Sequence, residues 1–241
     1  MIESIKNLII KETTRILKNK SDDFFAVEGY TMLEEALKSD YIPEYILVDS
    51  FGHEINGLID TKIYEVKSDI LKKLSNTNSG KNIISVFKKK VQNKSQIVNG
   101  NYVLCDRVSD PGNLGTILRI IDAFDIKGCI LMEGSCDIYN DKVIRSSMGA
   151  IFRVPCFKFN NSDLDILVKN NFNILSSVVS GGKDISNVLK NNNILVLGNE
   201  SHGVSDEIKK ISNHLVSIKM PGRAESLNVA IAAGILIYQM L

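Results

Sequence analysis

The chain has 241 residues and a mass of 26.8 kDa, with 44% hydrophobic and 24% charged residues and a mean hydropathy of +0.02. This composition excludes a disordered chain, a collagen-like repeat and a polytopic membrane protein, and a chain of this length buries roughly 70–75% of its unfolded surface on folding. The net charge is +1, with fifteen Lys and Arg against fourteen Asp and Glu in residues 1–95 and fourteen against fourteen in residues 96–241, so a nucleic-acid site would have to be a local patch.

Residues 5–17, IKNLIIKETTRIL, are amphipathic at helical spacing, and FFAV (24–27) reads as a strand. TMLEEALKS (31–39) predicts a helix, YILVD (45–49) a strand, SDILKKLS (68–75) a helix capped by Ser68, and IISVF (83–87) a strand. KKKVQNKSQIVNGN (88–101) is polar and lacks periodicity, which places a domain boundary near residue 95 and gives domains 1–95 and 96–241. Beyond it, YVLCD (102–106), GCILM (128–132), FNILSSVV (172–179) and ILVLG (194–198) are apolar runs typical of parallel strands buried on both faces. Helical stretches at 114–124 and 162–170 lie between them, and this alternation predicts an open, mostly parallel α/β sheet. The last sixteen residues, SLNVAIAAGILIYQML, are almost wholly apolar. They fall short of the roughly 20 needed to span a bilayer, so a buried or interface helix is expected.

The four cysteines form no CxxC and no metal-like spacing with His53, His202 or His214, and no HExxH occurs. They are expected to be reduced and mostly buried, as in the cytosol. The first residues, MIESIKNLII, lack the pattern of a signal peptide, so a cytoplasmic location is expected.

Three glycine-containing segments follow predicted strands, where open α/β sheets place ligands: DPGNLGTILR (110–119), LGNESHGVS (197–205) and IKMPGRAESLN (218–228). None fits G-x-G-x-x-G or G-x-x-x-x-G-K-[ST], and G-x-S-x-G is absent, which disfavours a nicotinamide enzyme, a P-loop nucleotidase or a serine hydrolase. Taken singly, each segment reads as a capped turn. Asn113 sits where an N-cap belongs, Arg119 shares a helix face with Gly115, Ser205 caps DEIKKI, and Ser226 caps the last helix with Asn228 in its first turn. Taken together they hold more polar groups than caps require, and a buried amide left unpaired costs about 1–3 kcal/mol.

On these residues the chain resembles the SpoU/TrmH family of RNA ribose 2′-O-methyltransferases, in the SPOUT class. The matching motifs are NLGTILR with Asn113, Gly115 and Arg119, VLGNESHGVS with Gly198, Asn199 and Glu200, and IKMPGRAESLNVAIAAGI with Ile218, Met220, Ser226, Leu227 and Asn228. VIRSSMGAIFRVP (143–155) is similar to the segment between the first two motifs. Residues 1–90 resemble the family's smaller α/β substrate-binding domain through VEGYTMLEEALKS, although SGKNII (79–84) replaces the expected Gln-Gly turn.

The resemblance implies a trefoil-knotted methyltransferase domain that binds S-adenosylmethionine, with Gly198, Ile218, Met220 and Leu227 around the cofactor. It implies that the three segments converge beside Arg119, which acts on the ribose 2′-OH either as a deprotonated base or as a cationic clamp. Asn113 and Ser226 would orient Arg119 or the ribose, Glu200 would hold the loops and neutralise local positive charge, and Asn228 would fasten the last helix. Arg145 and Arg223 would touch RNA phosphates, and the last helix would join two copies as a homodimer. The implied substrate is structured RNA, foremost 23S ribosomal RNA. Alternatives are transfer RNA, or a binding or ribosome-assembly role without turnover.

Overall fold

The computed structural model describes residues 1–49, 61–75, 83–90 and 92–241. His53, Val91 of the linker and residues 79–82 of the SGKNII turn lie outside them. The elements in chain order are α1 (Leu8–Leu17), β1 (Phe24–Glu28), α2 (Tyr30–Leu37), β2 (Tyr45–Val48), β3 (Lys62–Glu65), α3 (Ser68–Leu74) and β4 (Ile83–Lys88). They continue with β5 (Tyr102–Asp106), α4 (Pro111–Ala123), β6 (Gly128–Met132), α5 (Asp141–Ser147), β7 (Cys156–Phe159), α6 (Leu164–Lys169), β8 (Asn173–Ser177), β9 (Asn193–Gly198), α7 (Asp206–Ile211), β10 (His214–Val216) and α8 (Val229–Tyr238). Contacts divide the chain into one unit of Met1–Lys90 with Tyr139–Ile144 and another of Val91–Ile138 with Arg145–Leu241. The division thus falls just before residue 95 and assigns a short later segment to the first unit.

The first unit holds a four-stranded sheet in the order β1-β4-β2-β3, antiparallel except for the β2/β3 pair. Helix α1 buries Ile10, Thr13 and Ile16, its apolar stripe, and the side chain of Asn7 caps it by accepting from the Ile9 N–H at 2.9 Å. Phe25, Tyr41 and Phe87 form an aromatic cluster with centroids 5.6 to 6.4 Å apart. Lys67, not Ser68, is the N-cap of α3, because the Ser68 hydroxyl turns away to donate to Asp49 Oδ2 at 3.1 Å.

The second unit is a six-stranded parallel sheet in the order β10-β8-β9-β5-β6-β7. Every residue of β5, β6 and β9 is buried, as strands covered on both faces must be. One face packs Tyr102, Leu104, Ile130, Phe157 and Val196 against Leu164 and Leu167 of α6 and Ile208 of α7. On the remaining helices α4 and α8, which lie against each other, Leu114, Ile117, Ala233 and Leu236 are buried.

Strand order positions the site. After β5 the chain moves to one side, to β6, and after β9 it moves to the other, through α7 to β10. Neighbouring strands whose connections depart in opposite directions open a crevice at their C-terminal ends, the usual ligand site of open α/β sheets. Residues Leu215–Ser217 are bonded on two sides. Val178 N–H donates to the Val216 carbonyl at 2.9 Å, Lys183 N–H to the Leu215 carbonyl at 2.8 Å, and Ser217 N–H to the Lys183 carbonyl at 3.0 Å.

Three strands were not expected from sequence. Lys62–Glu65 is largely exposed, Cys156–Phe159 contains a lysine, and His214–Val216 has only three residues, so none shows the apolar run that marked the others. Helix α5, DKVIRSS, is too short and polar for a helical period to emerge.

Candidate functional site

At the crevice, the loop after β5 meets the loop after β9. Asp110 is the N-cap of α4, its Oδ1 accepting from Asn113 N–H at 2.9 Å, and Pro111 occupies the first turn. The expected cap, Asn113, lies three residues inside the helix. Its side chain is therefore free to leave the helix start, and its Nδ2 donates to Glu200 Oε1 at 2.9 Å. Glu200 also accepts from Ser109 Oγ at 3.2 Å and from the N–H groups of Ser109 and Asp110, each at 3.4 Å.

The carboxylate can only accept, so it fixes which way each amide in the chain points. With Nδ2 of Asn113 facing Glu200, Oδ1 is left to accept from Asn228 Nδ2 at 2.9 Å. That leaves Asn228 Oδ1 to accept from Ala230 N–H at 2.9 Å and Ile231 N–H at 3.3 Å. Asn228 is thus the N-cap of α8, a role expected of Ser226, which lies two residues outside. One relay of three side chains ties together all three glycine-containing segments. Burial would raise the Glu200 carboxyl, but donation from Asn113 and from backbone N–H groups, its own and those of Ser109 and Asp110, outweighs it and holds the pKa below its ordinary value.

Asn199 adds a second tie. Its Nδ2 donates to the Arg107 carbonyl at 2.8 Å, while its Oδ1 accepts from Ser201 and His202 N–H at 3.0 and 3.1 Å. Gly198 is required by the chain itself: a Cβ there would stand 2.2 Å from Gly203 C and 2.3 Å from Val204 N.

Beside the relay lies a cavity of about 510 Å³, within the usual range for a small-molecule site. Gly198, Ile218, Met220 and Leu227 line it, as do Glu200 and Ser226. Val178 and Val179 from the end of β8 complete an apolar wall, and the sequence motifs did not indicate them. Asn113, Arg119, Asn228, Arg145 and Arg223 are not among its lining residues.

Arg119 is exposed on α4, and among the described residues no hydrogen bond or ion pair holds it. Neither Asn113 nor Ser226 bonds to it, so of the two expected roles, orienting Arg119 or the ribose, the first has no hydrogen bond behind it among the described residues. Six positions after Asn113 on a helix, it stands about 240° around the axis and faces elsewhere. Gly115 is buried in α4, so it opens no surface beside Arg119. Glu200 makes no ion pair among the described residues; its charge is met by neutral donors. Arg145 and Arg223 are exposed.

No site role was expected of Asp106 or, individually, of Arg107. Asp106 is 2% exposed; its Oδ2 accepts from Ser205 N–H at 2.6 Å and its Oδ1 from Arg107 Nε at 3.1 Å. A charged residue closing an apolar strand was the available signal. Cys105, Cys129 and Cys156 are buried and Cys136 is half-buried, all as free thiols. Hydrogen bonding to Cys105 and Cys156, together with burial, pushes the Cys129 thiol up. No group of metal-ligating side chains occurs among the described residues, and no helix there is long and apolar enough to cross a membrane.

Residues 100–238 match the model of the SpoU rRNA Methylase family. Over 99% of its length the chain is 30% identical to the 23S rRNA (guanosine(2553)-2′-O)-methyltransferase RlmP of Bacillus subtilis, covering 98% of that protein. A crystal structure of an AdoMet-bound rRNA methyltransferase from Sinorhizobium meliloti superposes with a TM-score of 0.91 at 25% identity, covering 99% of this chain and 96% of that one. The SpoU methyltransferase AviRb of Streptomyces viridochromogenes shares the fold, with a TM-score of 0.86 at 23% identity over 98% of this chain and 97% of that one.

Proposed function

The chain belongs to the SpoU rRNA methylase family and is an RNA methyltransferase that uses S-adenosylmethionine; from that premise we propose that it methylates the 2′-oxygen of one ribose in 23S ribosomal RNA. The observation that carries the reading is the relay Glu200–Asn113–Asn228, which joins all three family segments beside a cavity of suitable chemistry.

The cavity fits the cofactor. Val178, Val179, Ile218, Met220 and Leu227 offer apolar walls for an adenosine, and the Glu200 carboxylate offers a counter-charge to a sulfonium. When bound, S-adenosylmethionine supplies an electrophilic methyl group. Methyl transfer to oxygen is an in-line displacement, so the chain's contribution is chiefly to position and polarise the acceptor. The ribose hydroxyl gives up its proton to solvent water, and Arg119 is the residue we assign as the cationic clamp that stabilises the developing alkoxide.

Arg119 lies outside the cavity of its own chain, so the site is completed by a second copy in a homodimer. Supporting this, α8 leaves Ile231 56% and Tyr238 68% exposed, and Leu241 just beyond it 73%. The trefoil knot is proposed on the two-sided bonding of Leu215–Ser217, Arg145 and Arg223 are proposed as phosphate contacts, and the first unit as the part that grips RNA. The location is proposed to be the cytoplasm, where ribosomal RNA is found.

The test is a map of 2′-O-methyl groups in total RNA from a deletion strain. One ribose methyl in 23S RNA should vanish and return when purified protein and cofactor are added. An unchanged map, with no transfer in vitro, would leave an RNA-binding role without turnover.

A further inference from the structure

A second cavity, of about 680 Å³, opens at the C-terminal ends of β5, β6 and β7, with Asp106, Arg107, Glu133, Asn160, Ser162 and Glu207 among its walls. Arg107 is fixed there in every part but its tip. Its φ is +57°, in the left-handed region that few non-glycine residues adopt. Its carbonyl accepts from Asn199 Nδ2, and its Nε donates to the buried Asp106. Gly134 leaves room for its stem, since a Cβ there would stand 3.1 Å from Arg107 Cγ. Only the two Nη groups remain, and among the described residues nothing else bonds them.

We propose that this cavity reads a guanine base of the RNA near the methylated ribose, with Arg107 Nη donating to O6 and N7 and Glu133 accepting from the N1–H and N2 amine. The inference rests on the proposed RNA methyl transfer and names a determinant of its substrate. A phosphate would meet Glu133 and Glu207 as well as the arginine, and like charges oppose it. Guanine presents two acceptors on one edge and two donors on the next, the complement of a fixed guanidinium flanked by a carboxylate. Adenine would set its N6 amine against the guanidinium, donor against donor. Unstacked bases of single-stranded RNA are commonly read on both of these edges. The Arg107–Asn199 bond ties this pocket to the loop carrying Glu200.

The test measures methyl transfer to the target RNA carrying 7-deazaguanine, which lacks N7, or inosine, which lacks the N2 amine, at single guanines near the methylated ribose. Wild type, Arg107→Lys and Glu133→Gln are compared. At one position 7-deazaguanine should lower wild-type kcat/KM about tenfold. Arg107→Lys, itself about tenfold slower, should lose nothing further there. Inosine at the same position should behave likewise toward Glu133→Gln. Calorimetric affinity for S-adenosylmethionine should be unchanged in both variants, and the failure of analogue and variant penalties to add is the readout that a merely structural role for either residue would not produce. Wild type indifferent to every analogue, or penalties that simply add in the variants, would overturn the inference and leave the function standing. Wild type that methylates no RNA would overturn both.

Discussion

The two ends of the parallel sheet carry similar chemistry in opposite settings. At the N-terminal end, Asn173 and Asn193 are 4% and 2% exposed. Asn173 Nδ2 donates to Asn193 Oδ1 at 2.9 Å and to the Val188 carbonyl at 3.0 Å, and Asn193 Nδ2 donates to Asn101 Oδ1 at 3.1 Å and to the Lys190 carbonyl. These asparagines hold the starts of β5, β8 and β9 together. At the C-terminal end, Asn113 and Asn228 form a comparable chain, but it ends in the carboxylate of Glu200, which lines the cofactor cavity. A buried amide network contributes to stability, here with Asn173 Oδ1 as its one oxygen without a partner among the described residues; an open one anchored on a charge orients a site.

The largest expected effect lies on α4, the helix that starts at the open end. Arg119→Ala should lower turnover roughly 10³-fold with cofactor affinity retained, read by single-turnover methyl transfer and calorimetry; turnover near wild type would remove the arginine from the proposed mechanism. Next, Asn113→Ala breaks the relay at its centre. Misplacing the segments should slow turnover roughly 10²-fold, while the urea midpoint moves little, because the freed groups can reach solvent. Asn193→Ala makes the reverse change. It leaves buried partners unpaired and should cost about 1–3 kcal/mol of stability in urea unfolding, with turnover per folded molecule intact. If Asn113→Ala instead destabilised and Asn193→Ala instead slowed catalysis, the contrast between the two ends would fail.

The smallest effect is a pH dependence confined to the open end. Glu200 titrates below its unfolded value, so in the acid range the unfolded chain binds more protons than the folded one. Its contribution is complete above about pH 4.3, the unfolded value, and is lost as pH falls through the lower folded value. The stability gap between wild type and Glu200→Gln should be flat near neutrality and close in acid. The gap between wild type and Asn193→Ala should not follow that trend, since no titratable side chain takes part in the bonds of that network.

Sequence made the two central strands easy to read, because YVLCD and ILVLG are apolar runs that structure buries whole. It also drew attention to Asn113, Glu200 and Asn228, through more polar groups than capping required. It misplaced the caps by one turn or less. Asp110 outcompetes Asn113 because Pro111 sets the first helical residue, and Asn228 outcompetes Ser226 because its longer side chain reaches two N–H groups at once. Arg107 was illegible, since nothing in an arginine announces a left-handed backbone or a buried carboxylate beside it. Val178 and Val179 looked like ordinary strand residues, and only the strand order carries them to the cavity.

The double seam along Leu215–Ser217 has a bearing on how the molecule is made. Ile218 and Met220 follow it directly, so the cavity gains that wall only after the segment has settled between its two neighbours. Such non-local pairing is slow to form. Capture of the methyl donor therefore comes late during maturation, and a chain still incomplete has no pocket with which to withdraw it from the cell's supply.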